Sequence, residues 1–140
     1  MLIFACDVLI YLGAKKTLNT NDIYDPTTEE EFQKLEFSSP TPITWADYQT
    51  ALPLVQSSFG KKQVRKYRDT LLAKSDWIMT YDNIESLANK DDWISYRQAL
   101  RDAPENITEY VWKSNSRELD YSKMVFPIAP PVTRKAFQSP

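Results

Sequence analysis

The chain has no histidine, one cysteine and two glycines among its 140 residues. Each shortage removes a class of chemistry. Without histidine, the side chain that most often serves as general base or metal ligand near neutral pH is missing. Cys6 alone can build neither a thiolate zinc site nor an internal disulfide, which fits a reducing compartment. Gly13 and Gly60 stand far apart, so no glycine-rich loop of the Walker or dinucleotide-binding type can be written on this sequence. The run from Met1 to Leu12 falls short of the about 20 apolar residues needed to cross a bilayer. It lacks a positive leader and a small-residue cleavage pattern and carries Asp7 in its middle, so it reads as structure rather than as a targeting segment.

Net charge is also in short supply. The formal net charge is -2, from 17 basic and 19 acidic residues, so no global field draws the chain onto nucleic acid or an anionic membrane. What is abundant is aromatic surface: 13% of residues, four of them Trp, which argues against wholesale disorder despite a mean hydropathy of -0.50. A compact chain of this length buries roughly 70% of its unfolded surface, enough for a real core.

Met1 to Gly13 is short and rich in β-branched and aromatic residues, and predicts a strand buried on both faces. Residues 17–26 are turn formers, with room for a short strand around Ile23 and Tyr24. Thr27 or Thr28 caps a short helix whose first turn holds Glu29, Glu30 and Glu31. Thr44 and Asp47 form a capping box ahead of a helix with Trp45, Tyr48 and Leu52 on one stripe, which Pro53 is expected to end or bend.

Two further helices follow. The first runs from about Lys61 to Lys74, with Val64, Tyr67 and Leu71 on one face. The second starts after Asn89, carries Trp93, Tyr96 and Leu100 at i, i+3 and i+7, and ends at Pro104. Beyond it a short strand is predicted at 108–112, and the last stretch, with four prolines from Pro127 onward, predicts extended or polyproline II conformation.

The remaining candidates for chemistry have plainer readings. Acidic neighbours at helix starts, Glu29 to Glu31 and Asp91 with Asp92, are dipole-stabilising and solvated. Lys61, Lys62, Arg65, Lys66 and Arg68 form a solvated basic face; a nucleic-acid role for it would show as steep salt dependence. Cys6, in an apolar run with no basic neighbour, is a small hydrophobe. Trp77 and Trp93 read either as hairpin core or as interface anchors. Two short helices cannot hide both tryptophans, Tyr96 and the leucine ladders unaided, so the surplus points to another element or another protein.

Arg68-Asp69-x-Leu71-Leu72, then Ser75-Asp76-Trp77, a connector, and Tyr96-Arg97-Gln98-Ala99-Leu100-Arg101-Asp102, with Pro104 after them, resemble the pattern of bacteriophage tail assembly chaperones, a family that includes tail fibre assembly proteins. The resemblance covers about residues 64–104, and its connector, residues 81–91, differs from the short proline-containing one usual in the family. It implies a non-enzymatic protein, without cofactor or metal, that binds other tail proteins. The positions carried over are Arg68, Asp69, Leu71, Leu72, Asp76, Trp77, Tyr96, Arg97, Leu100 and Arg101, to which Trp93 is added as a candidate anchor. Arg68 and Asp69 are expected to pair with Arg97 and Asp102 across the two helices.

Together these features predict an α+β fold in three parts: a strand-and-helix region over 1–56, a helical hairpin over 57–104 and an extended tail over 105–140. The leading functional expectation is a minor structural component of a phage tail, baseplate or fibre, found in the virion tail and, during assembly, in the host cytoplasm. The alternative is a transient assembly chaperone absent from the virion. The expected partners are other tail, baseplate or fibre proteins, with self-association as a further way to cover an unpaired strand edge, and neither nucleic acid nor membrane.

Overall fold

A computed structural model describes residues 4–17, 25–114 and 116–136. The element order is α1 (Ala5–Tyr11), β1 (Lys16–Thr17), α2 (Glu29–Gln33), β2 (Phe37–Ser38), α3 (Trp45–Lys74), a 3-10 turn (Asp76–Met79), α4 (Tyr81–Ser86), α5 (Lys90–Asn106) and a second 3-10 turn (Tyr121–Lys123). The fold is thus mostly helical. Its β content among the described residues is one two-stranded antiparallel pair, Lys16 opposite Ser38 and Thr17 opposite Phe37, and two isolated bridges. The strand expected near Ile23 and Tyr24 lies outside the described residues.

The described chain forms two compact units, residues 1–60 with 110–120 and residues 61–109 with 121–140. Residues 105–140, expected as one extended tail, are therefore shared between both.

In the first unit the expected N-terminal strand is a helix. Phe4, Ala5, Val8 and Leu9 are buried, the i, i+1, i+4, i+5 spacing of one helical face, while Ile10 and Tyr11 point outward. Two devices outweigh the strand preference of these residues. The Asp25 carboxylate accepts the backbone N–H groups of Phe4 (3.0 Å) and Ala5 (2.9 Å), capping the helix from 20 residues away. At the other end Gly13, with φ of +100°, donates to the Ile10 carbonyl (3.0 Å) while Ala14 donates to that of Leu9 (2.8 Å). This is a Schellman stop, and it needs the left-handed conformation that glycine supplies.

The predicted caps form. Thr28 Oγ1 accepts from the Glu31 N–H (3.2 Å), and the Glu31 carboxylate accepts from both the N–H and the hydroxyl of Thr27 (2.7 and 2.9 Å). Thr44 and Asp47 bond reciprocally, at 3.1 and 2.9 Å. The Thr27 and Thr44 N–H groups, followed by the hydroxyls of the same residues, hold the carboxyls of Glu31 and Asp47 below their ordinary range.

Pro53 does not end the helix after Trp45, nor does a connector follow it: α3 runs unbroken for 30 residues. Pro53 is exposed, as is Gln49, whose carbonyl loses its i+4 donor, so water can take that carbonyl at the cost of one internal bond. Gly60 is buried in the same helix, and a Cβ placed there would lie 2.5–2.7 Å from the Tyr110 ring. Glycine is required there by close approach of that ring. The core around it is aromatic: Trp45 stacks on Tyr48 (5.6 Å), Phe32 tilts against both, and Phe4 meets Phe59 and Trp112 edge-on. The segment predicted as a strand at 108–112 contributes only the Trp112–Leu119 bridge of a tight hairpin.

Candidate protein-binding site: the helical hairpin

In the second unit the end of α3 and the length of α5 run antiparallel. Cross-helix contacts proceed in opposite directions along the two helices. The Lys61 ammonium meets Glu105 at 2.6 Å, Arg68 reaches the Arg101 carbonyl at 3.4 Å, and Arg97 reaches the Leu72 carbonyl at 2.9 Å. Arg65 also approaches Glu105, at 3.6 Å. The hydrogen bond from Lys61 holds the Glu105 carboxyl below its ordinary range. Three of the five side chains of the basic run, Lys61, Arg65 and Arg68, are thereby engaged across the hairpin.

Arg97 is the polar centre of this arrangement. It is buried, donating to Ser75 Oγ (2.7 Å) and the Leu72 carbonyl through one nitrogen and to the Asp76 carboxylate (2.8 Å) through another. Ser75 is buried too, and its hydroxyl donates toward the carbonyls of Leu71 and Leu72 (3.2 and 3.0 Å). The pairing expected between Arg68, Asp69, Arg97 and Asp102 is not the one found. Asp69 takes the neighbouring Arg68 at 2.7 Å, and Asp102 accepts from Gln98 on its own helix at 3.1 Å. Both aspartates sit on outward faces of their helices, whereas the backbone carbonyls that end α3 face the guanidinium and compete for it.

The positions singled out in the sequence divide into two groups. Leu71, Leu72, Trp93, Tyr96 and Leu100 join Ile78 and Leu87 in one apolar cluster, so Trp93 is core rather than an exposed anchor. Trp93 and Tyr96 meet edge-on at 5.8 Å, and burial raises the Tyr96 phenol's pKa. Asp69, Asp76, Trp77 and Arg101 lie on the surface, with Arg68 partly covered.

Trp77 is held in place without being hidden. Its side chain is 46% exposed, while its backbone carbonyl accepts from the Thr80 hydroxyl (2.9 Å) and the Asn83 amide (2.9 Å). The Asn83 amide also reaches Thr80 Oγ1 at 2.7 Å. Met79 and Tyr81 follow on the same short stretch, Tyr81 being 80% exposed, and only Ile78 between them turns inward. In this region the sequence assigns Ser75 no role and offers Asn83 and Asn89 only as candidate helix caps. Ser75 stood in plain view inside the Ser-Asp-Trp triplet, and the two asparagines lie in the connector.

Asn89 precedes α5 but makes no side-chain cap. Its amide instead donates to the Pro131 carbonyl (2.8 Å) and accepts from the Thr133 N–H (3.3 Å). The chain approaching it is pinned earlier by aromatic stacking: Tyr67 lies on Tyr121 at 4.1 Å, and Phe126 meets both edge-on.

Among the described residues there is no cluster of potential metal ligands, and no helix is long and apolar enough to cross a membrane. A family model described as phage tail assembly chaperone protein matches residues 61–130, half of the chain. No curated protein and no solved structure matches. The match begins at Lys61, where the second unit begins, and takes in every hairpin residue named above, so the chain belongs to the phage tail assembly chaperone family.

Proposed function

We propose that this chain acts in phage tail assembly by non-catalytic binding of another tail protein, through the surface formed by Trp77, Met79 and Tyr81, and that it leaves before the virion is complete. The supporting observation is the presentation of Trp77. A large amphipathic side chain stays exposed on a turn whose backbone Thr80 and Asn83 fix, so little conformational freedom is lost on binding. Arg68, Asp69, Asp76 and Arg101 supply a charged margin to this unit's surface. Leu71, Leu72, Trp93, Tyr96, Arg97 and Leu100 serve it from inside by keeping the turn in place.

Departure is favoured over residence because an apolar N-terminal strand in need of an outside partner, and a proline-rich tail free to lie on a neighbour, would favour a resident component, and both segments are occupied within the chain. The apolar start is a helix packed in its own unit, and the proline-rich end lies against Ser86 to Asn89. Phage carrying Trp77→Ala with Tyr81→Ala should yield at least ten-fold fewer complete tails in micrographs, while the purified variant keeps its melting temperature within a few degrees. Normal tail yield would remove this surface from the reading. Quantitative peptide mapping of purified virions separates the two fates: the chain should be absent, and stoichiometric presence would establish it as a component.

A further inference from the structure

From Ser86 to Asn89, where α4 leads into α5, the chain carries a short backbone edge, and residues 131–135 lie on it. Ala88 N–H donates to the Thr133 carbonyl (2.7 Å) and Lys135 N–H to the Ser86 carbonyl (2.8 Å), an antiparallel bridge centred on Leu87 and Arg134. Asn89 extends this ladder with its side chain, donating to the Pro131 carbonyl and accepting from the Thr133 N–H, while Arg134 reaches Ser86 Oγ. All but the Arg134–Ser86 contact engage the main chain of residues 131–135. None of residues 131–136 is buried, and Val132 is about half exposed.

An edge that reads main chain through hydrogen bonds, with no pocket demanding a particular side chain, suits any extended segment of compatible backbone. Main-chain bonds exposed to water, without burial of side chains, give a docking that opens readily. The segment is nonetheless kept close by the stack of Tyr67, Tyr121 and Phe126 just before it. Pro127, Pro130 and Pro131 restrict it to extended conformations even when released.

We propose that Ser86 to Asn89 is a peptide-binding edge, that residues 131–135 occupy it in cis as a replaceable strap, and that its exchange partner is an extended, proline-containing segment of a tail protein. The Asn89 amide sets the ligand chemistry: it needs a carbonyl and, two residues on, a free N–H, the spacing that Pro131 and Thr133 present. A proline is accepted at the first of these positions and excluded from the second. The identity of the natural occupant rests on the assembly role proposed above, whereas the existence of the edge does not.

The test uses the full chain and a labelled synthetic peptide of residues 127–136. In the wild-type chain the strap competes at an effective concentration on the order of millimolar, so the peptide should bind only weakly. Thr133→Pro removes the N–H that Asn89 accepts, at an exposed position, and should free the edge. Peptide affinity measured by fluorescence anisotropy should then rise at least about ten-fold. Adding Asn89→Ala to that variant should abolish the gain. Amide exchange at Ala88 should be faster with Thr133→Pro than in the wild-type chain and slow again on saturation with peptide. An affinity unchanged by Thr133→Pro, or a gain that survives Asn89→Ala, would overturn the proposal. Either result would leave the Trp77 surface untouched, since that is read by tail yield.

Discussion

Removing Arg97 separates two accounts of what sets the hairpin. If register rested on ion pairing, Asp76 would matter as much as Arg97, and exchanging the two charges would restore stability. The geometry argues otherwise. The Asp76 side chain is 66% exposed, and such pairs are worth about 0.2–1 kcal/mol. The bonds to Ser75 Oγ and the Leu72 carbonyl are sheltered, and charge-assisted bonds of that sort contribute about 1.5–3 kcal/mol each. Part of that is recovered when Arg97 is lost, because the Ser75 N–H and hydroxyl already serve the Leu72 carbonyl. Arg97→Ala should therefore cost roughly 2–4 kcal/mol, with loss of packing included, and Asp76→Ala no more than about 1. Arg97→Met should be milder than alanine. It keeps the volume and removes Nε, which is buried without a partner. Urea unfolding followed by tryptophan fluorescence measures all three variants. A cost for Asp76→Ala equal to that of Arg97→Ala, or recovery in Arg97→Asp with Asp76→Arg, would refute the reasoning.

Other perturbations probe the rest of the chain. Gly60→Ala should destabilise by roughly 1–3 kcal/mol through the Tyr110 ring, despite the about 1 kcal/mol that alanine ordinarily gains in a helix. Adding Tyr110→Ala should make the same substitution favourable, which thermal melts of the two backgrounds would reveal. Pro53→Ala should stabilise by about 1–3 kcal/mol because α3 is continuous there, and a loss of stability would refute that expectation. The lowered carboxyls of Glu31 and Asp47 contribute stability that is fully present above their ordinary values of 4.5 and 3.8 and lost as the pH falls through the lowered ones. Glu31→Gln with Asp47→Asn should flatten the acid limb of the melting temperature, and an unaltered limb would place the acid sensitivity elsewhere.

Local signals were legible wherever the deciding interaction was local. Both capping motifs, the stripe of Trp45 and Tyr48, and the ladder of Trp93, Tyr96 and Leu100 follow from residues three or four apart. The first helix was not legible as such, because its N-terminal cap comes from Asp25, a residue no window around Ala5 contains. Gly13 was the available clue: a glycine after an apolar run serves a helix C-terminus as readily as a turn. Pro53 misled for the opposite reason. Its penalty is real, but tertiary packing of Tyr48, Ala51 and Val55 on the buried face carries the helix past it. The partners of Arg97 were hidden because two of its three acceptors, the Leu72 carbonyl and the Ser75 hydroxyl, are not charges at all.

These misreadings bear on how the hairpin works. A motif of paired Arg and Asp suggests ion pairs between the two helices, yet Arg97 directs two of its bonds to a backbone carbonyl and a hydroxyl, closing the end of α3 against α5. The consequence lies two residues on, at Trp77. With Arg97 holding Ser75 and Asp76 from one side, and Thr80 and Asn83 holding the Trp77 carbonyl from the other, the turn is fixed at both ends while its large side chain stays out. Under the proposed function, a buried cation would act on binding through the shape of a turn rather than through its charge. Arg97→Met and Trp77→Ala should then impair tail assembly by separable routes. The first should loosen amide protection across residues 75–80, whereas the second should leave that protection intact and remove only the exposed ring. Equal loss of protection in both variants would mean that Trp77 supports the turn rather than being presented by it.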